Sequence, residues 1–391
     1  MTTLRTAVVV GAGVAGLATA GALARAGWRV TLLEQQERLR TTPTALLLWP
    51  SGVRALSALG LAGGLDAIAT PVPDRGVRRP DGQLLVPPHP AGDPGTAVLV
   101  HTEDLHDALV AGLGDRVEIR TGVTARPLPQ GEMAAVTDGK TIWQADLLVA
   151  ADGVDSGLRA RVAPQTTVVS AGATVWRAVI PWYRAPELPP DAAAGGLTIG
   201  RGYRFFSAPL GRRGATGADS RGGRFWRATV TGAPRPESPE TQLSLLRRWF
   251  ADWHAPIGEL LAATEPGDLV QQELRTLSST LSRYATPIGD GALVLIGDAA
   301  HPVPEHLGLG ACLALEDAAT LVPMVRDAIP GRSLHTALAR YQAARRSRLL
   351  TVSRRLRRFG ASDGLSRLAP IQARRRERAT TAAAHWEPPA G

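Results

Sequence analysis

The sequence predicts an α/β fold, a Rossmann-like domain interrupted by a β-rich insertion and followed by a C-terminal helix. Two observations point there and a third completes the picture. The first is "TAVVVGAGVAG" at residues 6–16, followed by "RVTLLE" at 29–34, which reads as strand, glycine turn, helix and second strand. The second is a pair of later apolar runs, "ADLLVAADG" (145–153) and "GALVLIGD" (291–298). Each ends in an aspartate at the carboxyl edge, where open α/β sheets hold their ligands. The third is a change of texture between those runs. Residues 165–280 carry most of the aromatic residues in short alternating stretches such as "ATVWRAVIPWY", "GYRFFSAPL" and "GRFWRATV", the pattern of half-buried strands.

Taken in order, "TAVVV" is apolar throughout, as a parallel strand covered on both faces must be. Val14 to Ala26 is a helix of small residues that Gly27 stops. The uncharged stretch 6–24 also has the look of a signal peptide or membrane span, but Gly11, Gly13, Gly16 and Gly21 fit a strand, turn and helix better. Residues 1–72, 98–164 and 281–333 are expected to build the Rossmann-like domain. Residues 73–97, rich in Pro and Gly, and 165–280 are expected to form the inserted sheet, and 334–391 a helical region and tail.

The chain of 391 residues has a formal charge of +9, and Lys140 is its only lysine, so the basic character is arginine. Nothing has a nucleic-acid-binding pattern, and the charge is expected on solvated helix faces. Such a field still attracts anionic cofactors. Cys312 is the only cysteine, which excludes an intramolecular disulfide and a thiolate metal cluster and fits a reducing cytoplasm. Prolines around His301, Glu305 and His306 forbid a zinc-binding helix, so no metal is expected.

GxGxxG matches Gly11, Gly13 and Gly16. The first glycine permits the turn, the second lets a pyrophosphate approach the backbone, and the third allows helix and strand to pack closely. The amides of Val14 and Ala15 then face the anion at the helix N-terminus. Glu34, with Gln35 beside it, ends the next strand, where a carboxylate can accept from an adenosine ribose. A dinucleotide is therefore expected. A nicotinamide dehydrogenase would continue with more βαβ units. Here two distant strand ends carry Asp152 and Asp298, which suits a long ligand such as FAD.

With these segments the chain resembles the FAD-dependent aromatic hydroxylases, the class A flavoprotein monooxygenases, over about residues 5–350. "ADGVDSGLR" (151–159) is similar to the family's DG motif, which implies cofactor roles for Asp152 and Arg159. "GDAAHPVPEHLGLG" (297–310) is similar to its GD motif. That likeness implies that Asp298 meets the ribityl chain, that Pro304, Gly308, Leu309 and Gly310 line the flavin, and that the helix from Ala311 points its amides at the pyrimidine edge. The resemblance further implies a single-component monooxygenase that takes electrons from NAD(P)H. It would insert one oxygen atom of O₂ into an aromatic or polyketide-like small molecule through a C4a-hydroperoxyflavin, in natural-product tailoring. The alternative is a repurposed cyclase or isomerase with a structural or absent flavin. Two departures motivate it. Thr102 stands where an arginine is usual, which removes a contact worth about 1.5–3 kcal/mol, and Leu309 replaces the glutamine of GQG.

For the substrate, Arg177 in "VWRAVIP" is a candidate to polarise a phenolate or carboxylate. Trp176, Tyr203, Phe205, Phe206 and Trp226 are candidates to line an apolar pocket, with ordinary core as the competing reading for each. Cys312 reads as a buried helix residue. No nucleic acid and no integral membrane segment is expected among its partners.

Overall fold

The computed structural model describes residues 4–88, 97–128, 133–211, 223–232, 237–303, 308–360 and 386–389. A six-stranded sheet forms the first layer, in the order Ala285–Ile288, Gly291–Leu295, Leu147–Ala150, Thr6–Val10, Arg29–Leu33, Val117–Arg120. All neighbours are parallel except the outermost 285–288 pair. Thr6–Val10 lies at its middle, and Val8 and Val9 are 3% and 0% exposed, so both faces are covered as the unbroken apolar run requires. The helices Val14–Arg25 and Gly310–Val325 pack on one another against this sheet. Gly27, at φ +89°, reverses the chain after the first helix and delivers Trp28 fully buried into the core.

The insertion is a seven-stranded sheet, in the order Val270–Leu277, Val168–Ile180, Gly223–Thr231, Tyr203–Leu210, Gly196–Ile199, Val77–Arg78, Leu84–Val86. Strands from 73–97 and from 165–280 thus join one sheet. Helices Pro239–Trp249 and Ile257–Ala263 cover one face. The opposite face meets Ala45, Leu47, Val72 and Leu99, carried by or flanking a three-stranded sheet that belongs to the cofactor side of the molecule.

The long helix Arg332–Gly360 begins two residues before the expected boundary and packs on the Gly310–Val325 helix and on the edge strands of the parallel sheet. Trp386 returns to the core, its carbonyl accepting from Arg54 Nε at 2.6 Å. Among the described residues no helix is long and apolar enough to cross a membrane.

Candidate cofactor and substrate site

The three motifs meet at the carboxyl edge of the parallel sheet. Gly11 follows the central strand at φ +102°, and a Cβ there would lie 2.3 Å from Ala151 O. A Cβ on Gly16 would sit 1.8 Å from Gly11 O, and one on Gly297 would sit 2.9 Å from Ala15 Cβ. These glycines are demanded by the protein's own packing. Gly13 differs. Its backbone is extended (φ −74°, ψ −178°), a conformation any residue adopts, and a Cβ there would meet nothing within 4 Å. Nothing in the protein requires glycine at 13, so the open space suits an incoming pyrophosphate at the N-terminus of the Val14–Arg25 helix.

Glu34 is half-buried. Its Oε2 accepts from Ala12 N at 2.8 Å and its Oε1 from Gln36 N at 2.9 Å. The carboxylate therefore braces the glycine turn, and its remaining lone pairs are acceptors of the kind a ribose hydroxyl needs. Gln35 is exposed beside it.

In the second motif, Asp152 Oδ2 accepts from Leu158 N at 3.4 Å, while Oδ1 is buried with no partner among the described residues. Burial pushes this carboxyl up from its usual range. An orphaned buried oxygen of this kind is a place for a ligand donor. Arg159 does not reach outward. It is 4% exposed, and its guanidinium donates to Ala299 O (2.8 Å), Val154 O (2.7 Å), Asp298 O (3.2 Å) and Gly153 O (3.3 Å). Arg159 is a strut that ties the second motif to the third.

The third motif turns at Gly297, φ +58°, and leaves Asp298 exposed while Gly297, Ala299 and Ala300 are buried. Gly308 takes φ +63°, with Leu47 packed where its Cβ would be. Leu309, fully buried at the N-cap of the Gly310–Val325 helix, puts its side chain in the core and offers only backbone to the cleft. Gly310 is uncrowded, its nearest neighbour 3.8 Å from where a Cβ would be. Pro304, with Glu305 and His306, lies outside the described residues. Thr102 is 7% exposed, and its hydroxyl donates to Thr42 O at 2.7 Å and accepts from Thr44 N at 3.0 Å. It stitches the 42–44 loop to the next helix instead of facing outward.

The substrate candidates divide by strand alternation. Trp176, Phe205, Trp226 and Tyr203 all lie on the face that packs against the helices, away from the cofactor side. Trp176 Nε1 donates to Gln242 Oε1, Trp226 Nε1 donates to Thr264 Oγ1, and Phe205 stacks on Trp226 at 5.4 Å. Trp176, Phe205 and Trp226 are core and Tyr203, half-buried, packs against them, a correction to the pocket expected of these four. Their indoles find partners inside the protein, which is what lets a Trp be buried. The other face carries Arg177, Arg204, Phe206 and Arg227. Arg177 and Arg227 sit directly opposite on adjacent strands, each 9% exposed, and Arg227 lies over the Phe206 ring at 5.6 Å. Arg177 also bonds Gln272. Phe206, a pocket candidate from the sequence, is on this face, whereas Arg227 escaped the sequence reading, although "GRFWRATV" shows the signal: Arg227 alternates with Trp226 and therefore faces the other way.

A family model described as an FAD binding domain matches residues 5–355. The chain belongs to the FAD-dependent aromatic hydroxylases. The enzyme is 33% identical over 362 residues to 3-amino-4-hydroxybenzoate 2-monooxygenase of Streptomyces cremeus, covering 90% of this chain and 86% of that one. It is 32% identical over 325 residues to 2-heptyl-3-hydroxy-4(1H)-quinolone synthase of Pseudomonas aeruginosa, with 80% and 78% covered. Among solved structures, Klebsiella pneumoniae HpxO complexed with FAD and uric acid shares the fold at TM-score 0.78 and 22% identity, covering 97% of this chain and 96% of that one. The enzyme is thus an FAD-dependent monooxygenase. The open cradle at Gly13, the carboxylate of Glu34, the buried oxygen of Asp152 and the exposed Asp298 are the residues that fit the cofactor.

Proposed function

We propose that this enzyme oxygenates an aromatic small molecule bearing an acidic group, a carboxylate or an ionised phenol. The observation that carries this reading is the Arg177–Arg227 pair on the cofactor-side face of the inserted sheet. Like charges directly opposite on adjacent strands are destabilising, and a protein that retains two of them nine-tenths buried gains something else from them. Two guanidiniums with Arg204 nearby suit a planar anion, and Phe206 offers an aromatic platform. The relatives named for aminohydroxybenzoate, hydroxybenzoate and urate act on acidic rings, which supports the same class.

When bound, FAD accepts hydride from NAD(P)H and activates O₂ for transfer of one oxygen atom. The chain's own residues do the rest. The glycine turn and its helix N-terminus hold the pyrophosphate, Glu34 and Asp298 orient sugar and ribityl hydroxyls, and the arginine-bearing face positions the ring and stabilises its negative charge. The relatives are named as hydroxylases and monooxygenases, one of them a monooxygenase/isomerase, and this favours oxygenation over the cyclase or isomerase alternative. A tailoring role in a natural-product pathway, carried out in the cytoplasm, is the setting this reading suits.

The test is NAD(P)H oxidation with hydroxybenzoates and with their methyl esters. Acids should stimulate oxidation at least tenfold more than esters at equal concentration, and Arg177→Met should erase the preference mainly through KM. Equal stimulation by the esters would overturn the carboxylate reading, and equal stimulation by methyl methoxybenzoates, which carry neither acidic group, would overturn the acidic-substrate reading as a whole.

A further inference from the structure

A cluster of charges is buried behind the third motif, outside the cleft. Asp317, on the Gly310–Val325 helix, is 0% exposed, as is Glu316, and Arg345 from the Arg332–Gly360 helix is 1% exposed. Arg345 Nε donates to Asp317 Oδ1 at 2.6 Å, its Nη1 to Glu316 Oε2 at 3.0 Å and its Nη2 to Leu313 O at 3.1 Å. Arg348 grips both oxygens of Glu316, at 2.9 and 2.7 Å. Stability alone does not account for such a cluster, because well-packed apolar residues of the same volume usually serve as well or better. What it supplies is fixed geometry.

The geometry converges on one atom. Asp317 Oδ2 accepts from Gly297 N at 2.7 Å and from His301 Nε2 at 2.6 Å. It therefore holds the first and last residues of the turn that presents Asp298. Nε2 donates to this carboxylate whichever charge His301 carries. Inside the turn the backbone already closes on itself, with Ala300 N and His301 N both donating to Gly297 O at 2.9 Å. The side-chain bonds are thus an added constraint on where the turn points. From the opposite side Arg159 holds the carbonyls of Asp298 and Ala299. His301 is 8% exposed, and its Nδ1 has no partner among the described residues, a cost that packing alone would not retain.

We propose that His301 and Asp317, with Arg345 fixing the carboxylate from the C-terminal helix, are positioning residues that aim Asp298 at the flavin's ribityl chain. The long C-terminal helix then belongs to the cofactor site even though it lies behind it. This rests on FAD occupying the cleft but not on the acidic-substrate reading.

The experiment measures three quantities on His301→Leu, His301→Gln and Arg345→Lys: FAD dissociation constant by quenching of flavin fluorescence, midpoint potential of the bound flavin, and melting temperature of the apoprotein. His301→Leu removes the donor to Asp317, while His301→Gln can restore it through its amide. We expect His301→Leu to weaken FAD binding at least tenfold and shift the potential while the apoprotein melts within about 3 °C of wild type. His301→Gln should return the constant to within threefold of wild type. Arg345→Lys, which keeps the charge but loses the fork, should weaken FAD three- to tenfold. FAD binding and potential unchanged in His301→Leu, or equal losses in His301→Leu and His301→Gln, would reduce the cluster to packing. Should His301→Leu fail to fold, wild-type affinity and potential in Arg345→Lys would overturn the proposal by themselves.

Discussion

Replacing Gly13 by alanine separates a glycine that the fold needs from one that the cofactor needs. No protein atom lies within 4 Å of the added Cβ, and the backbone there is extended, so neither clash nor strain is introduced. Alanine is a poorer N-cap than glycine by about 0.5–1 kcal/mol, and the lost flexibility of the unfolded chain returns about 0.4–1 kcal/mol. The apoprotein should therefore change by less than about 1 kcal/mol. The methyl group fills the space in which a pyrophosphate meets the helix amides, and losing one or two charge-assisted hydrogen bonds costs about 2–3 kcal/mol. That is a rise in FAD dissociation constant of roughly 30- to 150-fold. Gly16→Ala is the control. Its Cβ would sit 1.8 Å from Gly11 O, against about 3.5 Å for an ordinary contact, so the turn must open and stability should fall by about 3 kcal/mol. The assays are urea denaturation of the apoproteins and flavin fluorescence titration. If Gly13→Ala binds FAD within threefold of wild type, or loses as much stability as Gly16→Ala, the reasoning about this turn is wrong.

Three further outcomes follow from the site and its supports. Trp226→Ala should cost about 3–5 kcal/mol in urea denaturation with FAD affinity unchanged, because Trp226 is fully buried on the helix-facing side of the sheet. Phe206→Ala should instead raise KM for an acidic aromatic, and the reverse pattern would put the cleft on the other face. Cys312, whose thiol burial pushes up to about 12, should stay unreactive toward iodoacetamide at pH 8 until urea unfolds the chain, and rapid native-state alkylation would contradict its place in the core. Burial alone would raise the Asp317 carboxyl, but the His301 and Arg345 charges outweigh it and hold it below the usual range. A carboxyl depressed in the folded state contributes stability above its unfolded pKa of about 3.9 and loses it as pH falls through the folded value. The stability advantage of wild type over Asp317→Asn should therefore be constant from pH 7 to about 5 and shrink below about pH 4, and an advantage independent of pH would refute the assignment.

The cofactor domain was legible because its signals are local. "TAVVVGAGVAG" and the two runs ending in Asp152 and Asp298 each state a strand and its carboxyl edge within ten or so residues. The inserted sheet was legible as strands but not as faces. A central strand such as Gly223–Thr231 is buried on both sides, so hydrophobicity does not say whether Trp226 or Arg227 looks toward the cofactor; only the register and the covering helices do. Arg159 read as a cofactor ligand from its motif, yet its guanidinium turns inward onto four carbonyls, two of them on Asp298 and Ala299, about 140 residues away, a contact for which a sequence has no period. Arg345, one arginine among many in a charge-dense helix, was hidden as well until packing of two separate helices set it against Asp317. Thr102 and Leu309 looked like losses at the cofactor site. The structure engages the hydroxyl of one within the chain and buries the side chain of the other, and neither obstructs the cleft.

The most direct test of the central claim is the fate of oxygen. The purified enzyme, loaded with FAD and given NAD(P)H and a hydroxybenzoate that stimulates its oxidation, should be run under ¹⁸O₂ and the product weighed by mass spectrometry. Oxygenation predicts a product carrying one ¹⁸O atom that is absent when the label is in water. A product isomeric with the substrate and free of label would contradict it and return the chain to non-oxygenating chemistry.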